Sequence, residues 1–138
     1  MPEFSSRSRS RLSTCHPDLR FLFNAVVKRW DCTILEGVRD LATQEEYVRT
    51  GKSKTMNSLH LLQADGWSHA VDVAPYPVDW QDAKGFALFA GKVLGMAELY
   101  YEQGLIKHRI RSGVDWDGDG NVREHSFFDG PHFELVKP

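Results

Sequence analysis

Residues 68–74 read Ser68-His69-Ala70-Val71-Asp72-Val73-Ala74, and this stretch decides the kind of fold the chain can adopt. Ala70–Ala74 reads as a short, mostly apolar strand that carries one carboxylate. An unpaired carboxylate among apolar neighbours is costly, so Asp72 is expected to have a cationic partner. Outward from this strand, Cys32–Leu35 reads as another that bends or ends at Gly37. Leu105–Ile110 is a weaker candidate, and His132–Val136 alternates more cleanly after a Gly130-Pro131 turn.

Helices lie between the strands. Pro17 suits a first helical turn and Asp18 complements the dipole, while Leu19, Leu22, Phe23, Val26 and Val27 recur on one helical face. Thr43 followed by Glu46 is a capping-box pattern that opens a second helix ending at Gly51. Asp79 can cap a third helix running to about Glu102, with Phe86, Phe89, Val93, Met96 and Ala97 along one side. Helices and strands mix without a βαβ rhythm and without an internal repeat. The expected class is α+β, a small, mostly antiparallel sheet packed with helices.

At 138 residues the chain is expected to form one domain. Hydrophobic residues at 41% and charged residues at 26% exclude a disordered or fibrous class. A formal net charge of −2 gives no drive toward nucleic acid or an anionic membrane. No apolar run approaches the roughly 18 residues of a membrane span, and the N-terminus has no apolar core of a secretory signal. Residues 1–14, where Arg7, Arg9 and Arg11 alternate with serines, are expected to be a flexible basic arm ahead of a domain spanning 15–138. Cys15 and Cys32 have no metal-ligand spacing and read as buried free thiols.

Three segments concentrate metal-capable side chains: Ser58-Leu59-His60, Ser68 to Asp72, and Asp129-Gly130-Pro131-His132. A catalytic zinc takes three ligands from histidines and carboxylates and keeps a fourth position open. A further carboxylate, not bound to the metal, accepts the proton of the attacking water. His60, Asp72 and His132 can supply the ligands and Asp129 the base. Spacing alone leaves the chain's six histidines as candidates.

These segments, taken in order, resemble the zinc L-alanyl-D-glutamate peptidase endolysins of tailed phages. That family sits within the wider group of D-Ala-D-Ala carboxypeptidases and vancomycin-resistance dipeptidases. The group carries Ser-x-His-x-x-Gly-x-Ala-x-Asp and later an acid-x-x-His, matched here by Ser58-Leu59-His60, Ala70-Val71-Asp72 and Asp129 to His132. His16-Pro17-Asp18-Leu19 resembles the family's start. The segment from Glu36 to Thr55 matches the part that holds a substrate-facing arginine, here Arg39. The resemblance implies a Hedgehog/DD-peptidase-like fold and a Zn2+ site at His60, Asp72 and His132. It also implies Asp129 and Arg39 as catalytic residues, and hydrolysis of the L-Ala–D-Glu bond of peptidoglycan stem peptides. Arg39 would stabilise the oxyanion or grip a substrate carboxylate. One departure stands out. His60 and Asp72 are further apart than in the pattern, so Leu61–Trp67 holds an insertion. If it bulges into a loop, His60 and Asp72 still converge; if it does not, His69 becomes a rival ligand.

Asp115, Asp117 and Asp119, with Gly120, reproduce the first half of a calcium loop, although Ser126 stands where the bidentate Glu belongs. Ca2+ there is a second cofactor expectation, with an acidic Asp-Gly hairpin turn as the alternative. The enzyme is expected to be a monomer made in the cytoplasm without a signal peptide, to reach the wall at lysis, and to bind neither nucleic acid nor membrane. Two alternatives remain: a D,D-carboxypeptidase or dipeptidase using the same zinc site, and a non-catalytic wall-binding module of the same fold.

Overall fold

The computed structural model describes residues 2–115 and 129–137. Its core is built where the apolar periodicity is strongest. Helix α2 (Pro17–Val26) buries Leu19, Leu22, Phe23 and Val26, and α4 (Ala83–Glu102) buries Phe86, Phe89, Ala90, Val93 and Ala97. Both helices pack on one face of a sheet made of β1 (Cys32–Glu36), β2 (Ala70–Pro75), β3 (Ile110–Gly113) and β4 (Asp129–Leu135). The strands are antiparallel in the order β1-β2-β4-β3, so the fold is the α+β arrangement expected. Phe133 on β4 meets the rings of Phe23 and Phe89 with centroids 5.3 and 6.3 Å away. Burying one such side chain contributes roughly 1.5–3 kcal/mol.

Because side chains alternate along a strand, Val71, Val73 and Phe133 face these helices while Asp72, His132 and Glu134 take the opposite face. The two central strands therefore give one surface to the core and the other to polar chemistry.

The N-terminal segment departs from the flexible arm expected of residues 1–14. Ser6–Leu12 form helix α1, capped by Ser5, whose hydroxyl accepts the Ser8 amide at 3.1 Å. Ser8 and Leu12, one turn apart, are buried. Ser8 Oγ accepts the Ile34 amide at 3.0 Å and Arg11 donates to the Ile34 carbonyl at 3.0 Å. These are backbone groups of edge strand β1, so α1 covers an edge that would otherwise stand open. The Arg/Ser alternation concealed a helix whose inward face is only one serine and one leucine.

Other boundaries shift for local reasons. Helix α3 (Leu41–Arg49) starts earlier than the Thr43 capping box, because Asp40 caps it by accepting the Thr43 amide at 2.7 Å. Asp82, not Asp79, caps α4, accepting the Gly85 amide at 2.9 Å. Residues 105–109 are not a strand. Asp18 Oδ2 accepts the amides of Lys107 and His108 at 2.9 and 3.1 Å, which holds that stretch in a turn against α2, and β3 begins only at Ile110. Strand β4 opens three residues before His132, and Pro131 falls within the register break opposite Ser112 and Gly113. Such a break is where a central strand tolerates a residue without an N–H.

Cys15 and Cys32 are buried and unbridged. Burial pushes both thiols up to about 12, so they stay protonated and unreactive. Among the described residues no helix is long and apolar enough to cross a membrane.

Candidate active site and metal centre

Asp72 and His132 face each other directly across the β2–β4 pair. His60 reaches them from the segment ahead of β2, which the backbone pins at several points. The Arg39 amide donates to the His60 carbonyl at 2.8 Å and the His69 amide to the Leu59 carbonyl at 2.9 Å. Ser58 Oγ accepts the His60 amide at 3.1 Å. In consequence His60 Nε2 lies 3.1 Å and His132 Nδ1 3.4 Å from the same oxygen, Asp72 Oδ1. The ligand atoms of the three residues all lie within 4.8 Å of one another, a grouping that could hold a metal ion.

The far nitrogen of each imidazole is also engaged. His60 Nδ1 is 2.8 Å from the Gly37 carbonyl, and a carbonyl only accepts, so Nδ1 carries a proton and Nε2 is the nitrogen left to face an ion. His132 Nε2 is 2.8 Å from Glu134 Oε1, which turns Nδ1 inward by the same logic. Arg111 in turn clasps Glu134 Oε2 at 2.6 Å. Metal-binding histidines are ordinarily oriented by such outer partners. Gly37 cannot be replaced freely: a Cβ there would collide with Thr14 Oγ1 and the Arg11 carbonyl, and its own carbonyl sets the His60 ring.

Asp72, Asp129 and Glu134 surround the two imidazoles and give the centre a preference for positive charge. Burial alone would raise the Asp72 carboxyl, yet the neighbouring His60 and His132 outweigh it and hold it well below the usual range. Burial likewise opposes a charge on His132, but its hydrogen bonds to Asp72 and Glu134 raise it to about 9. Asp129 moves the other way. Burial, then the charge of Asp72, raises its carboxyl above an ordinary aspartate, the direction a proton acceptor working near neutrality needs.

These groups line a cleft of about 790 Å3 that also includes Arg39, Tyr47, Lys52 and Trp80. The Arg39 side chain is only 8% exposed and its donors are occupied. Nε and Nη2 meet Glu36 Oε1, and Nη1 donates to Gln44 Oε1 at 2.6 Å. Nη2 also stands 3.9 Å from Asp72 Oδ2, which is the cationic neighbour expected for that carboxylate. Asp129 is brought close to β3 because position 113 is glycine; a Cβ there would strike the Asp129 carbonyl.

His69 does not join the centre. The extra residues before it form a tight hairpin, in which the Gln63 amide donates to the Trp67 carbonyl at 3.0 Å. Asp65 within it takes His69 Nε2 at 2.7 Å. The hairpin docks on α2, where the Arg20 guanidinium lies 4.5 Å over the Trp67 ring, so the insertion bulges away and leaves His60 beside Asp72.

A second grouping, His16, Asp18 and His108, is occupied otherwise. His16 Nδ1 accepts the Asp18 amide at 3.0 Å as the α2 cap, and Asp18 Oδ2 accepts three N–H groups around Lys107 and His108. Of the calcium-loop candidates, Asp115 is buried with its amide on the Ser112 carbonyl at 3.1 Å. Asp117 and Asp119 lie outside the described residues.

Glu134, Arg111 and Glu36 were not anticipated as site residues. Glu134 had a readable signal, since residues two apart on a strand share a face and His132 is already at the centre. Arg111 and Glu36 had none, because only the sheet register brings them in.

Comparison with known proteins bears on the same constellation. Residues 2–136 match a family model described as phage L-alanyl-D-glutamate peptidase. The crystal structure of the L-Ala D-Glu endopeptidase ChiX of Serratia marcescens is similar, with a TM-score of 0.71 and 30% sequence identity. The likeness covers 98% of this chain and 91% of that one. No curated protein matches.

Proposed function

Since the chain belongs to the phage L-alanyl-D-glutamate peptidase family, we propose that it works as a zinc enzyme, with His60, Asp72 and His132 as ligands and Asp129 as base. The reaction itself is hydrolysis of the L-Ala–D-Glu bond in peptidoglycan. The observation that carries the zinc reading is the orientation of the two imidazoles. Each gives its outer N–H to a fixed acceptor and turns the other nitrogen toward Asp72 Oδ1. Two imidazoles, each able to give up its inner proton to an ion, and one carboxylate suit a catalytic zinc.

When bound, zinc supplies Lewis acidity: it polarises the scissile carbonyl and brings the pKa of a coordinated water toward about 7. The remaining work falls to the chain. Asp129, with its raised proton affinity, accepts the proton of the attacking water and returns it to the departing D-Glu amine. Arg39 backs Asp72, and its positive charge, acting at a distance while its N–H groups stay on Glu36 and Gln44, favours the negative charge that develops on the carbonyl oxygen. Held on Glu36 and Gln44, it is less suited to following a mobile substrate carboxylate. Sequestering the site against the sheet keeps these charges in a poorly screened environment where they act strongly.

The test pairs metal analysis with product identification. Purified protein should carry about one zinc per chain, and digested peptidoglycan should yield new D-Glu amino termini by mass spectrometry. Asp129→Asn should keep the zinc and lose roughly 10²–10⁴-fold in rate. Zinc-loaded protein that leaves L-Ala–D-Glu bonds intact would overturn the activity, and an active enzyme free of divalent metal would overturn the zinc assignment.

A further inference from the structure

Lys52 lines the cleft and takes no part in the chemistry above. It follows α3 and rests its ammonium 5.3 Å from the centroid of the Tyr47 ring. Tyr47 is itself fixed: its hydroxyl donates to Glu36 Oε2 at 3.1 Å and the Arg39 guanidinium lies 4.5 Å over its ring. Lys52 is therefore carried on a held platform at the wall of the cleft.

The other cations near the site already have partners: Arg39 is bound to Glu36 and Arg111 to Glu134, and Lys54, which also lines the cleft, is not free either. Among the described residues no carboxylate pairs with Lys52, so its charge is available to a ligand.

The substrate carries charge on one side of the cut only. The L-Ala amine is tied up in an amide to the muramyl group, so nothing on that side is ionised. Beyond the scissile bond, D-Glu is joined onward through its side-chain carboxyl and keeps a free α-carboxylate. A diamino-diacid third residue adds another. A cation at one wall of the cleft thus distinguishes the leaving side of the stem from the acyl side.

We propose that Lys52 receives a free stem carboxylate on the D-Glu side of the scissile bond and so sets the direction in which the stem lies across the metal centre. This rests on the activity proposed above. The recognised group is a carboxylate, either that of D-Glu or the additional one of the third residue. A charge-assisted contact of this kind acts mainly on substrate binding, since it exists before and during the reaction alike.

Four capped tetrapeptides decide it: D-Glu or D-isoglutamine at the second position, crossed with diaminopimelate or lysine at the third. With zinc-loaded enzyme, Lys52→Met should raise KM about tenfold on the peptide with both carboxylates and leave kcat unchanged, the signature of lost uniform binding. The penalty should vanish on whichever peptides lack the carboxylate Lys52 reads, which identifies the group. Lys52→Arg should keep most of the wild-type KM. An equal KM penalty on all four peptides, a fall in kcat alone, or no penalty at all overturns the proposal. Wild-type enzyme that cuts none of the four at L-Ala–D-Glu overturns the activity on which it rests.

Discussion

Glu134 meets the candidate metal triad at His132, and that contact is what makes it informative. It takes the outer N–H of His132 at 2.8 Å and is steadied by Arg111 at 2.6 Å, so it fixes which imidazole nitrogen faces Asp72. Replacing the carboxylate with an amide keeps the shape but weakens the acceptor. Glu134→Gln should therefore lower zinc affinity about 10–100-fold, measured by competition with a coloured chelator, with little change in the unfolding midpoint of the metal-free protein. Unchanged zinc affinity would show that His132 orients itself without help. The insertion before Asp72 is also understood at this scale: Asp65 engages His69 at 2.7 Å, away from the centre.

At the scale of elements, α1 carries the clearest consequence. Leu12 is 3% exposed within the core, and Ser8 and Arg11 satisfy both backbone groups of Ile34 on the edge strand. Leu12→Ala should cost about 2–5 kcal/mol in urea unfolding, whereas a loose arm would give a change near zero. Helix α2 and strand β2 were legible from local pattern, because each buries a dense apolar face that repeats with its own period. Helix α1 was not, since its buried face is sparse and its partners lie on β1. The turn at 105–109 was misread for a related reason: the carboxylate that shapes it, Asp18, is far away in sequence.

For the molecule as a whole, the division of the sheet into an apolar and a polar face separates folding from metal binding. The core of α2, α4, Val71, Val73 and Phe133 does not pass through the proposed zinc site. Removing the metal with a chelator should thus abolish activity yet leave a folded protein with a lower melting temperature. Free zinc a thousandfold above Kd adds about 4 kcal/mol of stability. Circular dichroism melting before and after zinc is restored checks both points, and collapse of the fold on chelation would show that the metal is part of the core.

The amino-acid sequence by itself determined that this chain is α+β and which side chains are chemically able to hold a metal. Those properties follow from hydrophobic period and residue type, both of which are local. Tertiary structure alone decided that His60 stands beside Asp72 while His69 is turned away, and that Gly37 and Glu134 choose the working nitrogen of each imidazole. It also committed Arg39 to Glu36 and left Lys52 on the cleft wall without a carboxylate partner among the described residues. Each of these depends on strand register or on a contact between distant segments, and neither quantity is written in any short stretch of the chain.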